Sequence, residues 1–155
     1  MYKGVLEVSR LGRYLVAAWA ITLQAIVGCS KKETLQETLI ASVPNSGGMS
    51  TSFTVPNSSH VFVLIASPDS NAAIEGHVVL VANGKKISFP IGTNAVRSNW
   101  LQHRGLNSII VNAESLTLEG SKARIDAGSK CVISITLSNT PPSAEIWLAY
   151  LTRSW

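Results

Sequence analysis

The sequence predicts an all-β chain: a two-sheet antiparallel β-sandwich that follows an N-terminal signal helix. Three observations carry that expectation. Short runs with apolar residues at every second position recur from Thr38 onward, the period of a half-buried strand. Asn83-Gly84 joins two such runs, and a type I′ turn needs positive φ at both central residues, which Asn and Gly adopt cheaply. The runs are divided by clusters of Pro, Gly, Ser and Asn, with no convincing amphipathic helix among them.

The first element precedes that domain. Lys3, Arg10 and Arg13 stand before Tyr14–Gly28, a stretch of 15 residues without a charge. That length suits the apolar region of a secretory signal better than a membrane span of roughly 20 residues. It ends at Ile26-Val27-Gly28-Cys29: a branched aliphatic residue, a medium one, a small one, then cysteine. The segment resembles the lipobox of bacterial lipoprotein precursors. The resemblance implies cleavage between Gly28 and Cys29, diacylglycerol on the Cys29 sulfur and acylation (palmitate or a similar chain) of the new amino group. Each buried acyl methylene is worth about 0.8 kcal/mol, so two or three chains tether a protein permanently. Ser30 after the cysteine implies, by the enterobacterial rule, attachment to the outer membrane on its periplasm-facing side.

The expected organisation is therefore 1–28 as signal peptide, 29–37 as lipidated tether and 38–155 as one β-sandwich domain. From residue 29 there are 127 residues, enough for one core and too few for two domains. Removing Lys3, Arg10, Arg13 and Glu7 leaves 10 basic and 8 acidic residues, a net charge of +2. Lys and Arg never exceed two in a row, so no nucleic acid is expected as a partner.

Strands are expected at Thr38–Val43, Ser50–Val55, Val61–Ala66, His77–Ala82, Lys86–Ile91, Ser108–Asn112, Ser115–Glu119, Ala123–Asp126, Cys131–Ser138 and Glu145–Thr152. Their order is open among jelly-roll, immunoglobulin-like and transthyretin-like connectivities. Cys131 alternates in phase with Ile133, Ile135 and Leu137, which places its thiol on the buried side of a strand and makes it an inert core residue. With Cys29 occupied by lipid, no intrachain disulfide is expected. Ile146–Leu151 is apolar on both faces and reads as a central strand, and Trp155 could mark a partner contact.

The search for chemistry yields little. His60, His77 and His103 are scattered without metal-ligand spacing, and the carboxylates show no calcium-loop pattern. No nucleophile elbow or phosphate loop is present. Neither a metal nor another cofactor is expected, and the chain is read as a non-enzyme. The segment Thr93–Leu106 is the longest expected connection, and there Arg97, His103 and Arg104 surround Trp100. These four are the candidate ligand or partner contacts, as a stacking face ringed by donors. The favoured alternative is a plug, with Val96, Trp100 and Leu101 packed as one helical turn. Two functions follow: a lipid-anchored envelope protein whose sandwich binds a protein partner, as an accessory subunit of a surface or secretion assembly, or a lipid-anchored glycan-binding module.

Overall fold

The computed structural model describes residues 32–71, 73–92, 95–139 and 141–154; the signal segment, Cys29 and Trp155 lie outside the described residues. Among the described residues there are nine strands: β1 (Lys32–Ser42), β2 (Gly48–Thr54), β3 (Val61–Ser67), β4 (Glu75–Ala82), β5 (Lys85–Ile91), β6 (Val96–Ser98), β7 (Asn107–Ile110), β8 (Lys130–Asn139) and β9 (Glu145–Ser154). Residues Glu33–Thr152 fold as one unit around a shared interior.

One sheet has the order β1-β9-β3-β7-β6 and the other β2-β8-β4-β5. Setting β6 aside, each strand pairs with its mirror image in the chain: β1 with β9, β2 with β8, β3 with β7, β4 with β5. That nested pairing is one long ribbon folded over twice, the jelly-roll order, so of the three connectivities left open the chain adopts this one. The Asn83-Gly84 hairpin stands as expected, with φ of 51° and 74°, and it starts the nest by closing β4 onto β5.

The core lies between the sheets. Val61, Val63 and Ile65 from β3 and Ile146 and Leu148 from β9 meet Val78 and Leu80 from β4. Cys131, Ile133, Ile135 and Leu137 of β8 join them, while Val132 and Thr136 face out. The strand phase read for Cys131 therefore holds, and desolvation pushes its thiol up to about 11.

Three boundaries differ from expectation. β1 begins at Lys32, six residues before Thr38, so 32–37 is strand where a tether was expected. Its polar residues do not preclude a strand, because β1 lies at a sheet edge and keeps much of its length in solvent. Second, Val96–Ser98 pairs with β7 as a short edge strand, so the longest irregular connection is 111–129 rather than Thr93–Leu106.

Third, Ser115–Glu119 and Ala123–Asp126 are not strands. Side chains, with isolated backbone bonds such as Leu116 N–H to Val61 O, replace a continuous ladder there. Asn112 accepts the Val63 N–H at 2.8 Å and donates to the Glu114 carbonyl at 2.6 Å, and Ser115 Oγ accepts the Val61 N–H at 2.8 Å. Leu116, Ala123 and Ile125 are buried under this loop. The alternation read as strand is the loop dropping apolar residues over one end of the sandwich.

Candidate functional site

β3 is buried on both faces because its apolar run is continuous. Its outward residues, Phe62, Leu64 and Ala66, lie with Trp147 and Ala149 of β9 beneath segment 99–106. That segment is a compact strap. Gln102 N–H bonds to Asn99 O, Arg104 N–H to Leu101 O, and Gly105 closes the turn at φ 73°. The turn drives Leu101, fully buried, onto the sheet. Trp100 sits half-buried beside it, its ring centroid 5.5 Å from Phe62 at a 55° tilt.

A polar latch holds the strap down. Arg104 lays its guanidinium 4.9 Å from the centroid of the Trp147 ring and brings Nε and Nη2 to 3.4 Å from Glu37 Oε2. His103 Nε2 reaches the same oxygen at 3.4 Å. The Glu37 side chain is only 10% exposed, so the Arg104 guanidinium and the contact with His103 offset the cost of covering a carboxylate. Trp147 Nε1 donates to Glu145 at 2.8 Å.

Of the four residues singled out in the sequence, Trp100, His103 and Arg104 thus come together. Arg97 does not join them: it points to the Ser70 carbonyl at 3.2 Å and borders a separate cavity of about 130 Å³ with Asp69 and Glu75. The plug reading needs a correction as well. Val96 is 54% exposed and takes no part, and the strap covers the outer face of a sheet instead of closing an end. Glu37 and Trp147 complete the arrangement and were missed. Alternation along β1 and β9 was the available signal, but it gives a face, not which residues a distant loop will meet.

The two flanks of the sandwich differ more than its faces do. On one flank β5 carries Lys85, Lys86 and Pro90 and β6 is three residues long, the usual means of discouraging strand addition. On the other flank β1 runs for eleven residues, and β2, Gly-Met-Ser-Thr-Ser-Phe-Thr, has neither charge nor proline. Leu137 N–H bonds to Gly47 O and Val55 N–H to Ser129 O, so the odd-numbered residues of β2 face β8. Alternation then turns the N–H and C=O groups of Gly48, Ser50, Ser52 and Thr54 outward.

Between these two edges lies a groove of about 360 Å³, with Ile40, Phe53, Leu148 and Tyr150 among its lining residues. Leu39, 45% exposed, stands on its rim. The Thr38 hydroxyl and the Tyr150 phenol, on the neighbouring strands β1 and β9, meet at 3.4 Å along its lining. Among the described residues no three His, Cys, Asp or Glu side chains converge as a metal site. In comparisons with known proteins, no family model, no curated protein and no solved structure matches this chain.

Proposed function

We propose that this chain is a lipid-anchored, non-enzymatic envelope protein, held through lipid on Cys29 in the periplasm-facing leaflet of the outer membrane. Its jelly roll docks a protein partner along the β1/β2 flank, as an accessory subunit of a surface or secretion assembly does. The carrying observation is the contrast between flanks: one is blunted by Lys, Pro and a short strand, the other offers the β2 edge, free of charge and proline, with an apolar groove between it and the eleven-residue β1. An extended segment of a partner laid along β2 satisfies the outward backbone groups, and its alternate side chains enter the groove beside Phe53 and Tyr150. The anchor is supported by the resemblance of Ile26-Val27-Gly28-Cys29 to a lipobox. A glycan-binding role finds less support, because Trp100 packs on Phe62 and Trp147 lies under Arg104, which leaves neither ring as an open stacking platform.

Two measurements test the proposal. Metabolic labelling with a fatty-acid analogue, followed by intact-mass analysis, is expected to show an acylated chain that starts at Cys29. A photo-crosslinker at Ser52 is expected to capture a discrete envelope protein in cells, while one at Ser88 on the blunted edge captures none. An unlabelled chain refutes the anchor, and equal capture from both edges refutes the docking flank.

A further inference from the structure

One end of the sandwich carries all four lysines found between residues 33 and 152: Lys85, Lys86, Lys122 and Lys130. Their common location follows from contacts. Lys85 Nζ donates to the Arg124 carbonyl at 2.8 Å, Asn83 beside it reaches Ser129 at 2.8 Å, and Lys130 pairs with Thr54 at the last position of β2. This is also the end at which β1 starts, since Thr152 donates to the Thr34 carbonyl at 3.2 Å and Leu151 O accepts from Ser58 at 2.6 Å. Ser58 O in turn accepts from Thr117, on the loop that continues to Lys122.

Besides Glu33 at the start of β1, three carboxylates lie on the loop at this end, and all three are already engaged. Glu119 and Asp126 both pair with Arg124, and Glu114 accepts from the Ser121 hydroxyl and the Lys122 N–H. Lys85, Lys86 and Lys130 have no carboxylate within ion-pair distance among the described residues. Leu118 projects from the same loop, 43% exposed. The opposite end has the reverse balance, with Asp69, Glu75 and Glu145 against Arg97.

The geometry points to the lysine-bearing end as a membrane-resting surface that takes anionic phospholipid headgroups. This rests on the anchor proposed at Cys29, which lies five residues before Thr34 and so within about 18 Å of it along a fully extended chain. A tether that short delivers this end, and not the acidic one, to the bilayer. A lysine near an anionic surface is worth roughly a fivefold change in the ratio of contacting to lifted domains. The orientation leaves the β1/β2 flank facing sideways, open to a partner.

The test uses the lipidated chain in vesicles, with a fluorophore on Ala127→Cys at the basic end or on Asn71→Cys at the acidic end, both exposed positions. With spin-labelled headgroups in phosphatidylglycerol vesicles, the 127 label is expected to be quenched and the 71 label not. The triple variant K85Q/K86Q/K130Q is expected to lower the contacting ratio roughly a hundredfold, and high salt to act likewise. Equal quenching at both positions, quenching in phosphatidylcholine that matches phosphatidylglycerol, or a triple variant that behaves as wild type overturns the proposal. An intact mass without lipid on Cys29 refutes the anchor instead. In that case sedimentation of the unacylated chain with phosphatidylglycerol vesicles, compared with the triple variant, decides whether the basic end binds headgroups: loss of binding in the variant sustains it, equal binding overturns it.

Discussion

Arg104 covers the Trp147 ring at 4.9 Å while its Nε and Nη2 both face Glu37 Oε2, so one side chain joins the strap to β9 and β1 together. The attachment is nonetheless mostly apolar. Arg104 is 44% exposed, and its cation–π and ionic contacts are each worth about 1 kcal/mol or less under solvent screening. Leu101, with no exposure, contributes more.

Truncating the strap tests that ranking. Leu101→Ala is expected to cost about 2–4 kcal/mol by chemical denaturation, more than Arg104→Ala at about 1 kcal/mol. Trp100→Ala falls between them because the ring is only half-buried. An Arg104 variant more damaging than the Leu101 variant would mean that the latch, not the buried leucine, holds the strap.

Asn112 is the buried polar group on which the 111–129 loop depends. Asn112→Ala leaves the Val63 N–H and the Glu114 carbonyl without that partner and is expected to cost about 2–4 kcal/mol. Ser115→Ala, which removes one acceptor from the Val61 N–H, is expected to cost about 1–3 kcal/mol. Denaturant midpoints with unchanged slopes are the measurement, and wild-type midpoints would show that water replaces both side chains.

How much of the fold was legible depends on which interactions are local. The Asn83-Gly84 hairpin and the inward phase of Cys131, Ile133, Ile135 and Leu137 are properties of adjacent residues, and the sequence displays them directly. The nested strand order is not, since nothing in Thr38 announces that it faces Tyr150. The 111–129 loop misled for a different reason: Leu116, Ala123 and Ile125 bury with strand-like spacing, but Leu116 N–H makes a single bond to the Val61 carbonyl, Ile125 N–H bonds to the Leu116 carbonyl and Ala123 N–H to the Ser121 hydroxyl, with no continuous ladder. Within the strap, Trp100, His103 and Arg104 are close in sequence and so were found together. Glu37 is 67 residues from Arg104 and was not.

Glu114 offers a pH-dependent readout confined to one turn. The Ser121 hydroxyl and then the Lys122 N–H hold its carboxyl below the usual 4.5. A carboxylate with a depressed value in the folded state stabilises its turn above the ordinary range and loses that contribution as pH falls through the lowered value. Hydrogen exchange at the Lys122 amide, corrected for intrinsic rates, is therefore expected to quicken at acid pH, and Glu114→Gln to quicken it at neutral pH. A Gln variant with wild-type exchange would remove Glu114 from the turn's support.

Cys131 gives the sharpest test of the core. Its thiol is fully buried between the sheets, and desolvation raises it from 9.0 to about 11, so it stays protonated and unreactive at neutral pH. The unfolded chain releases this proton first as pH climbs. Stability linked to the thiol is therefore complete below pH 9 and declines as pH rises toward about 11. Labelling with a charged thiol reagent is expected to be slow in the native protein and fast after denaturation. Cys131→Ala is expected to cost about 1 kcal/mol and to abolish the alkaline decline that this group contributes. Rapid native labelling would place Cys131 at the surface and reverse the inside and outside of β8, and with it the register of the sheet that β8 shares with β2 and β4.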